Sequence, residues 1–216
     1  MKNIKFKTLF KTKIADTVTP VGLYLRFRDR YQNTLLLESS DYHSKEESFS
    51  FIAIQPLLSI KAESDKLSLY QKGIRLKQQQ IGRNFNTIFQ EYSSCIDLDC
   101  PAELKSFNGL YGYTTYDAVQ YFENITLNVK QAPSAIPFLY YSFYRFIIAI
   151  DHFSDEMTLI ENIEEGEDSR IQEIETIIDA QAFNTQKFET VGDETSNCTN
   201  EDFKENVLKA KAHCKR

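Results

Sequence analysis

Tryptophan is absent from this chain of 216 residues, and histidine and cysteine are scarce, at three and four. Without Trp, any indole emission from a sample must come from a ligand. Three histidines leave little room for histidine-based catalysis. His43 lies in a polar loop and His213 in the last helical pattern, while His152 follows Asp151 at a strand end. Neighbours on a strand point to opposite faces, so Asp151 does not orient His152 as a general base. Cys95, Cys100, Cys198 and Cys214 form no CxxC pair, and none of their spacings suits a metal; free thiols are expected.

An excess of positive charge is also lacking. Lys and Arg number 25 against 31 Asp and Glu, giving a net charge of −6 and a pI near 5.2. Phosphate backbones need a concentrated basic face, so nucleic acid is excluded as a partner. The early cluster Lys2, Lys5, Lys7, Lys11 and Lys13 alternates with Ile4, Phe6, Leu9 and Phe10, the pattern of a half-exposed strand. No apolar run approaches the ~18 residues that span a bilayer, and no signal-peptide core opens the chain. No membrane partner and a cytoplasmic location are expected. Internal repeats and low-complexity tracts are missing too.

What is present reads as many short strands with a few helices. Thr19-Pro20 supplies an N-cap and a proline at the first helical position for a helix over 21–30. Residues 34–38, 48–54, 57–62, 67–71 and 74–77 read as strands between polar turns. Residues 84–92 carry Phe85, Ile88, Phe89 and Tyr92 on one helical stripe. A strand over 109–115 leads to a short helix capped by Asp117. A long strand over 137–150 pairs back with 157–161 as a hairpin. Ile171, Ile174, Ile177 and Ile178 mark another helix, with Glu167 and Asp168 as its acidic first turn. Turns this short leave no room for βαβ crossovers, so the expected fold class is α+β, mostly antiparallel sheet with flanking helices.

Residues 184–200 are polar, and Thr199 to Asp202 resembles a capping box opening a helix with Phe203, Val207, Leu208, Ala210 and Cys214 on its apolar stripe. That helix has no stop signal before Arg216, which suggests a boundary within a longer protein. The expected division is one domain over 1–183, then a linker and the first helix of a second domain over 184–216.

Chemistry-bearing motifs are few. Gly109 and Gly112 in GLYGY lack the spacing of a phosphate loop. Carboxylates fall in charge runs such as Glu164 to Asp168, and no catalytic or metal-binding constellation is expected within these residues. One binding candidate stands out. Leu35-Leu36-Leu37 ends in Glu38, Ser39 and Ser40, and Phe49 and Ser50 open the next strand. An acid for an ammonium, hydroxyls for polar contacts and an aromatic cover suit an amino acid. A strand running into a polar turn explains the same residues, and on physics alone that plainer reading is favoured.

Several segments, in matching order, resemble the amino-terminal region of anthranilate synthase component I, the large subunit. They are DTVTPVGLYLRFRDR (16–30), LLLESS with SFIAIQP (35–40 and 50–56), GLYGYTTYDAVQYFE (109–123), FIIAIDHFSDEMTLIEN (146–162) and the terminal helix (196–216). The resemblance implies a lyase of tryptophan biosynthesis, converting chorismate and ammonia to anthranilate and pyruvate with Mg2+. It implies a glutamine amidotransferase subunit as ammonia donor and L-tryptophan as feedback inhibitor. It places metal ligands and acid–base residues in a carboxyl-terminal part beyond Arg216, so the fragment alone is expected to be inactive. Inhibitor binding is implied for Glu38, Ser39, Ser40, Phe49 and Ser50; Phe49 stands where some relatives carry a lysine. The alternatives are the related aminodeoxychorismate synthase component I of the folate pathway and a stand-alone amino-acid-binding module.

Overall fold

The computed structural model describes residues 3–38, 48–63, 65–82, 84–125, 127, 136–180 and 189–215. Nine strands form one sheet: β1 (Ile4–Ile14), β2 (Leu35–Glu38), β3 (Phe49–Glu63), β4 (Lys66–Gln71), β5 (Ile74–Gln80), β6 (Ile96–Asp99), β7 (Leu110–Thr114), β8 (Leu139–Asp151) and β9 (Glu156–Glu164). The helices are α1 (Pro20–Arg28), α2 (Phe85–Ser93), α3 (Ile171–Asp179) and α4 (Asn200–Cys214). The strand order is β5-β4-β3-β8-β9-β1-β6, with β2 also on β3 and β7 also on β8. The fold is α+β and mostly antiparallel, as the sequence implied. The pairing of β1 with β6 is the parallel exception.

The long strands β3 and β8 organise everything else. They pair with each other from Phe49–Asp151 to Ala62–Leu139. At one end β2 and β9 flank them; at the other end β4 and β7 do. Strand alternation sends Ile52, Ile54, Phe146, Ile148 and Ile150 to one face, where they bury Leu23 and Phe27 of α1 and the isoleucines of α3. The opposite face at the same end holds Ala53, Tyr144, Ile147 and Ile160 under Leu104. The third cluster, around Leu58, Ile60, Leu67, Leu69 and Phe143, is covered by Phe85, Ile88 and Tyr92 of α2. Each Leu or Ile fully buried this way contributes about 1.5–3 kcal/mol.

The expected strands 48–54 and 57–62 are one strand, β3. Its ladder with β8 shifts register between Pro56 and Leu58, and Gln55 sits at φ 61. Pro56 has no N–H to donate, so a bulge rather than a break absorbs it. Asp117 is not a cap: the 3-10 turn over Tyr116–Tyr121 begins at Thr115, with no side-chain cap hydrogen bond. Glu167 and Asp168 precede α3 instead of forming its first turn, where Glu173 stands. Arg145 takes both of them: Nη1 donates to Glu167 Oε2 at 2.6 Å and Nη2 to the Asp168 carbonyl at 2.7 Å. Strand β6 was missed, its IDLD alternation hidden between two cysteines.

Thr19 caps α1 as expected, accepting from Gly22 N. The Thr199–Asp202 capping box opens α4. The chain divides into two compact units, Met1–Asn184 and Thr185–Arg216. Among the described residues no helix is long and apolar enough to cross a membrane.

Candidate functional site

The five residues singled out by sequence do not all meet. Ser39 and Ser40 lie outside the described residues. Glu38 and Ser50 are cross-strand partners in the β2–β3 ladder, and Ser50 is also opposite Ile150 of β8. Opposed residues share a face, so Glu38 and Ser50 sit on the α1–α3 side of the sheet, at its end. Glu38 is exposed, whereas Ser50 is fully buried. Phe49 points the other way. It packs 5.0 Å from the Phe107 ring and 6.0 Å from Phe51, which in turn lies 5.7 Å from Tyr111. The aromatic lid and the acid of the sequence reading therefore belong to opposite faces.

His152 joins the site, which sequence reasoning missed. Its Nε2 is 2.8 Å from Ser50 Oγ, and its backbone N–H donates to the Ser48 carbonyl. The signal was available: in an antiparallel ladder that pairs Ser50 with Ile150, residue 152 returns to the Ser50 face. Asp151 turns away and accepts instead from the N–H groups of Phe153 (2.8 Å) and Ser154 (3.4 Å), fixing the hairpin turn. The Ser50–His152 contact is not a nucleophile with its base, because the hydroxyl has no exposed surface to offer a substrate. It stitches β3 to the end of β8 beneath Glu38.

Glu161, Glu164 and Glu167, on β9 and the turn after it, are committed to cations. Glu161 is fully buried; it accepts from Arg145 Nε at 3.1 Å, Ser169 Oγ at 2.6 Å and Arg170 N at 2.8 Å. Lys72 Nζ lies 2.7 Å from Glu164 and 2.6 Å from Glu167. The hydrogen bond from Lys72, with Arg145 nearby, holds the Glu167 carboxyl below its ordinary range. Burial pushes the Tyr111 hydroxyl well up, so it stays a neutral donor to the Phe107 carbonyl. Among the described residues no three His, Cys, Asp or Glu side chains converge as a metal site. A divalent cation therefore finds no fitting ligand set among the described residues.

A family model described as chorismate binding enzyme matches residues 33–216. Anthranilate synthase component 1 of Acetivibrio thermocellus is 27% identical, covering 92% of this chain and 43% of the relative. The protein of the same name from Lactococcus lactis is 28% identical over 68% of this chain and 31% of the relative. The chain thus spans less than half the length of these relatives. The crystal structure of anthranilate synthase component I from Streptococcus pneumoniae TIGR4 shares the fold, with a TM-score of 0.50 at 20% identity over 93% of this chain and 44% of that one.

Proposed function

This chain belongs to the chorismate binding enzyme family, and on that premise we propose that it is the amino-terminal part of an anthranilate synthase component I. The observation that carries the reading is the match to one protein of that name over 92% of the chain and to others over smaller shares. The reaction releases pyruvate and water from chorismate as ammonia nitrogen enters the ring. A glutamine amidotransferase subunit supplies the ammonia, Mg2+ supplies charge neutralisation, and the work takes place in the cytoplasm. Among the described residues no three His, Cys, Asp or Glu side chains converge, and the Ser50 hydroxyl beside His152 is buried, so in this reading these residues frame and regulate the reaction rather than perform it.

The regulatory role falls to the end of the sheet where Glu38 faces Ser50. Glu38 is exposed and has no cation bonded to it among the described residues, so its carboxylate is free to pair with the ammonium of L-tryptophan. Ser39 and Ser40 follow it directly in sequence. Ser50 backs this end of the face and holds His152, and Phe49 shapes the strand from the far side. Tryptophan seated there would favour a conformation that binds chorismate poorly, a population shift set by its differential affinity.

The test is anthranilate fluorescence from chorismate, ammonia and Mg2+. The 216-residue chain alone should give no signal above a protein-free control. An enzyme carrying these residues together with a catalytic half should give one, inhibited by L-tryptophan. No anthranilate from that enzyme, or product without tryptophan sensitivity, removes respectively the enzymatic and the regulatory part of the proposal.

A further inference from the structure

A buried hydroxyl holds an exposed histidine against the spot that Glu38 faces. Ser50 is fully buried, yet the one partner of its hydroxyl among the described residues is the exposed His152, whose Nε2 lies 2.8 Å from Oγ. The imidazole reaches Ser50 from the β8 side. Glu38 stands on the β2 side, directly opposite Ser50 in the antiparallel ladder, and is exposed too. Side chains opposed in this way have Cβ atoms about 4.5–5.5 Å apart. One carboxylate and one imidazole thus flank a single serine, on one face and at one end of the sheet, and no ion pair joins them. A single small molecule can touch both.

His152 is anchored twice, because its backbone N–H also donates to the Ser48 carbonyl at 3.0 Å. The ring contact settles which nitrogen is left to act. A hydroxyl buried like that of Ser50 must give its proton to an acceptor, and the described residues offer it His152 Nε2. A neutral imidazole that accepts at Nε2 carries its own proton on Nδ1. The two nitrogens point in divergent directions, so Nε2 turned down onto Ser50 turns Nδ1–H away from it. Nδ1 has no partner among the described residues. The neighbouring acid, Asp151, does not compete, because its Oδ1 accepts from the N–H groups of Phe153 and Ser154 in the hairpin turn.

The geometry points to His152 as the carboxylate-binding half of an α-amino-acid site whose ammonium-binding half is Glu38. This rests on the regulatory reading of Glu38 and adds to it a second recognition group. An α-amino acid carries both charged groups on one carbon. A ligand whose ammonium pairs with Glu38 therefore holds its carboxylate within a few ångströms, over Ser50, where Nδ1–H donates to it. Reading both ends selects amino acids over simple amines and simple acids.

Inhibition constants for L-tryptophan and for tryptamine, which lacks the carboxylate, separate the two halves in an anthranilate synthase carrying these residues. In wild type, L-tryptophan should inhibit roughly tenfold better or more, the order of one hydrogen bond to a charged group. His152→Phe keeps a ring and removes the donor. It should raise the L-tryptophan constant by about that factor and leave tryptamine unchanged, so their ratio collapses. Glu38→Gln should weaken both ligands alike, since both carry the ammonium. Ser50→Ala added to His152→Phe removes the hydroxyl that the single change orphans, and should give the same collapsed ratio in a protein as stable as Ser50→Ala alone. An unchanged ratio in both His152 variants, or an equal loss for the two ligands, would overturn the role of His152 and leave Glu38 as it stands. No inhibition of wild type by L-tryptophan, or constants that ignore Glu38→Gln, would remove the regulatory reading itself and His152 with it.

Discussion

Asn108 and Asn162 exchange their side-chain amides reciprocally: each Nδ2 donates to the other's Oδ1, at 2.8 and 2.9 Å, across 54 residues of sequence. Thr8 Oγ1 donates to Asn162 Oδ1 at 2.9 Å and accepts from Asn108 Nδ2 at 3.1 Å, while Asn162 also serves the Tyr144 carbonyl. Three distant segments, β1, the loop before β7, and β9, are thereby locked in one register inside the core. Asn162→Leu keeps the volume and orphans several buried partners at about 1–3 kcal/mol each, so a loss of roughly 2–4 kcal/mol is expected in urea unfolding. Asn108→Leu added to it should cost less than Asn108→Leu alone, since the partner is already gone. Strict additivity of the two would show that the amide pair carries no coupling.

Gly112 makes a second firm expectation. A Cβ there would lie 1.9 Å from the Tyr140 carbonyl oxygen and 2.7 Å from Tyr141 Cα, both backbone atoms that cannot swing aside. Gly112→Ala must push β7 off β8. A cost of about 3 kcal/mol or more follows from overpacking, or a fall in melting temperature of roughly 6–12 °C at this size. Gly109, which meets nothing within 4 Å, is the control: Gly109→Ala should be nearly silent. Equal behaviour of the two would refute the close approach.

These two examples show why the sequence disclosed the fold class more readily than its interior wiring. Period-two alternation and turn residues act locally, so β2, β4, β7, β8 and the hairpin to β9 were legible. The pairing of Asn108 with Asn162 is set by register between distant strands, and nothing near either residue announces it. The same holds at the candidate site. Glu38 and Ser50 stood out because each ends or opens a strand. That Phe49 turns to the opposite face follows from the pleat, because adjacent strand residues alternate sides; proximity in sequence to Ser50 does not bring it to Glu38. His152 needed the β3–β8 register before it could be placed against Ser50.

The acid side of stability should depend on Glu167. Its carboxyl is held down by the Lys72 hydrogen bond, with Arg145 adding to it. A depressed carboxyl contributes stability above its unfolded pKa of ~4.3, and that share is lost as pH falls through the lower folded value. Glu167→Gln should therefore unfold more easily than wild type at pH 7, and the two should converge towards pH 3. A constant gap between them at every pH would mean that the residue acts by packing rather than by charge.

The last expectation separates the regulatory reading of Glu38 from a plain strand end. In an anthranilate synthase carrying these residues, Glu38→Gln keeps the shape of the side chain and removes the charge offered to the tryptophan ammonium. A charge-assisted hydrogen bond contributes about 1.5–3 kcal/mol, so the inhibition constant should rise roughly tenfold to a hundredfold. Turnover without tryptophan should hardly change, because the Ser50 hydroxyl opposite Glu38 is buried against His152 and offers a substrate nothing. Ser39→Phe, at the next position in sequence, should raise the constant further. Ser50→Ala behaves differently. Its hydroxyl is buried and engaged with His152, so its removal should lower stability by about 0.5–1.5 kcal/mol and alter inhibition less than Glu38→Gln does. The constants are compared with chorismate at one fixed multiple of its KM. If Ser50→Ala weakens inhibition more than Glu38→Gln, the ligand contacts lie on the hydroxyl side and the ammonium pairing assigned to Glu38 is wrong. If no variant changes the constant, this end of the sheet is only a turn.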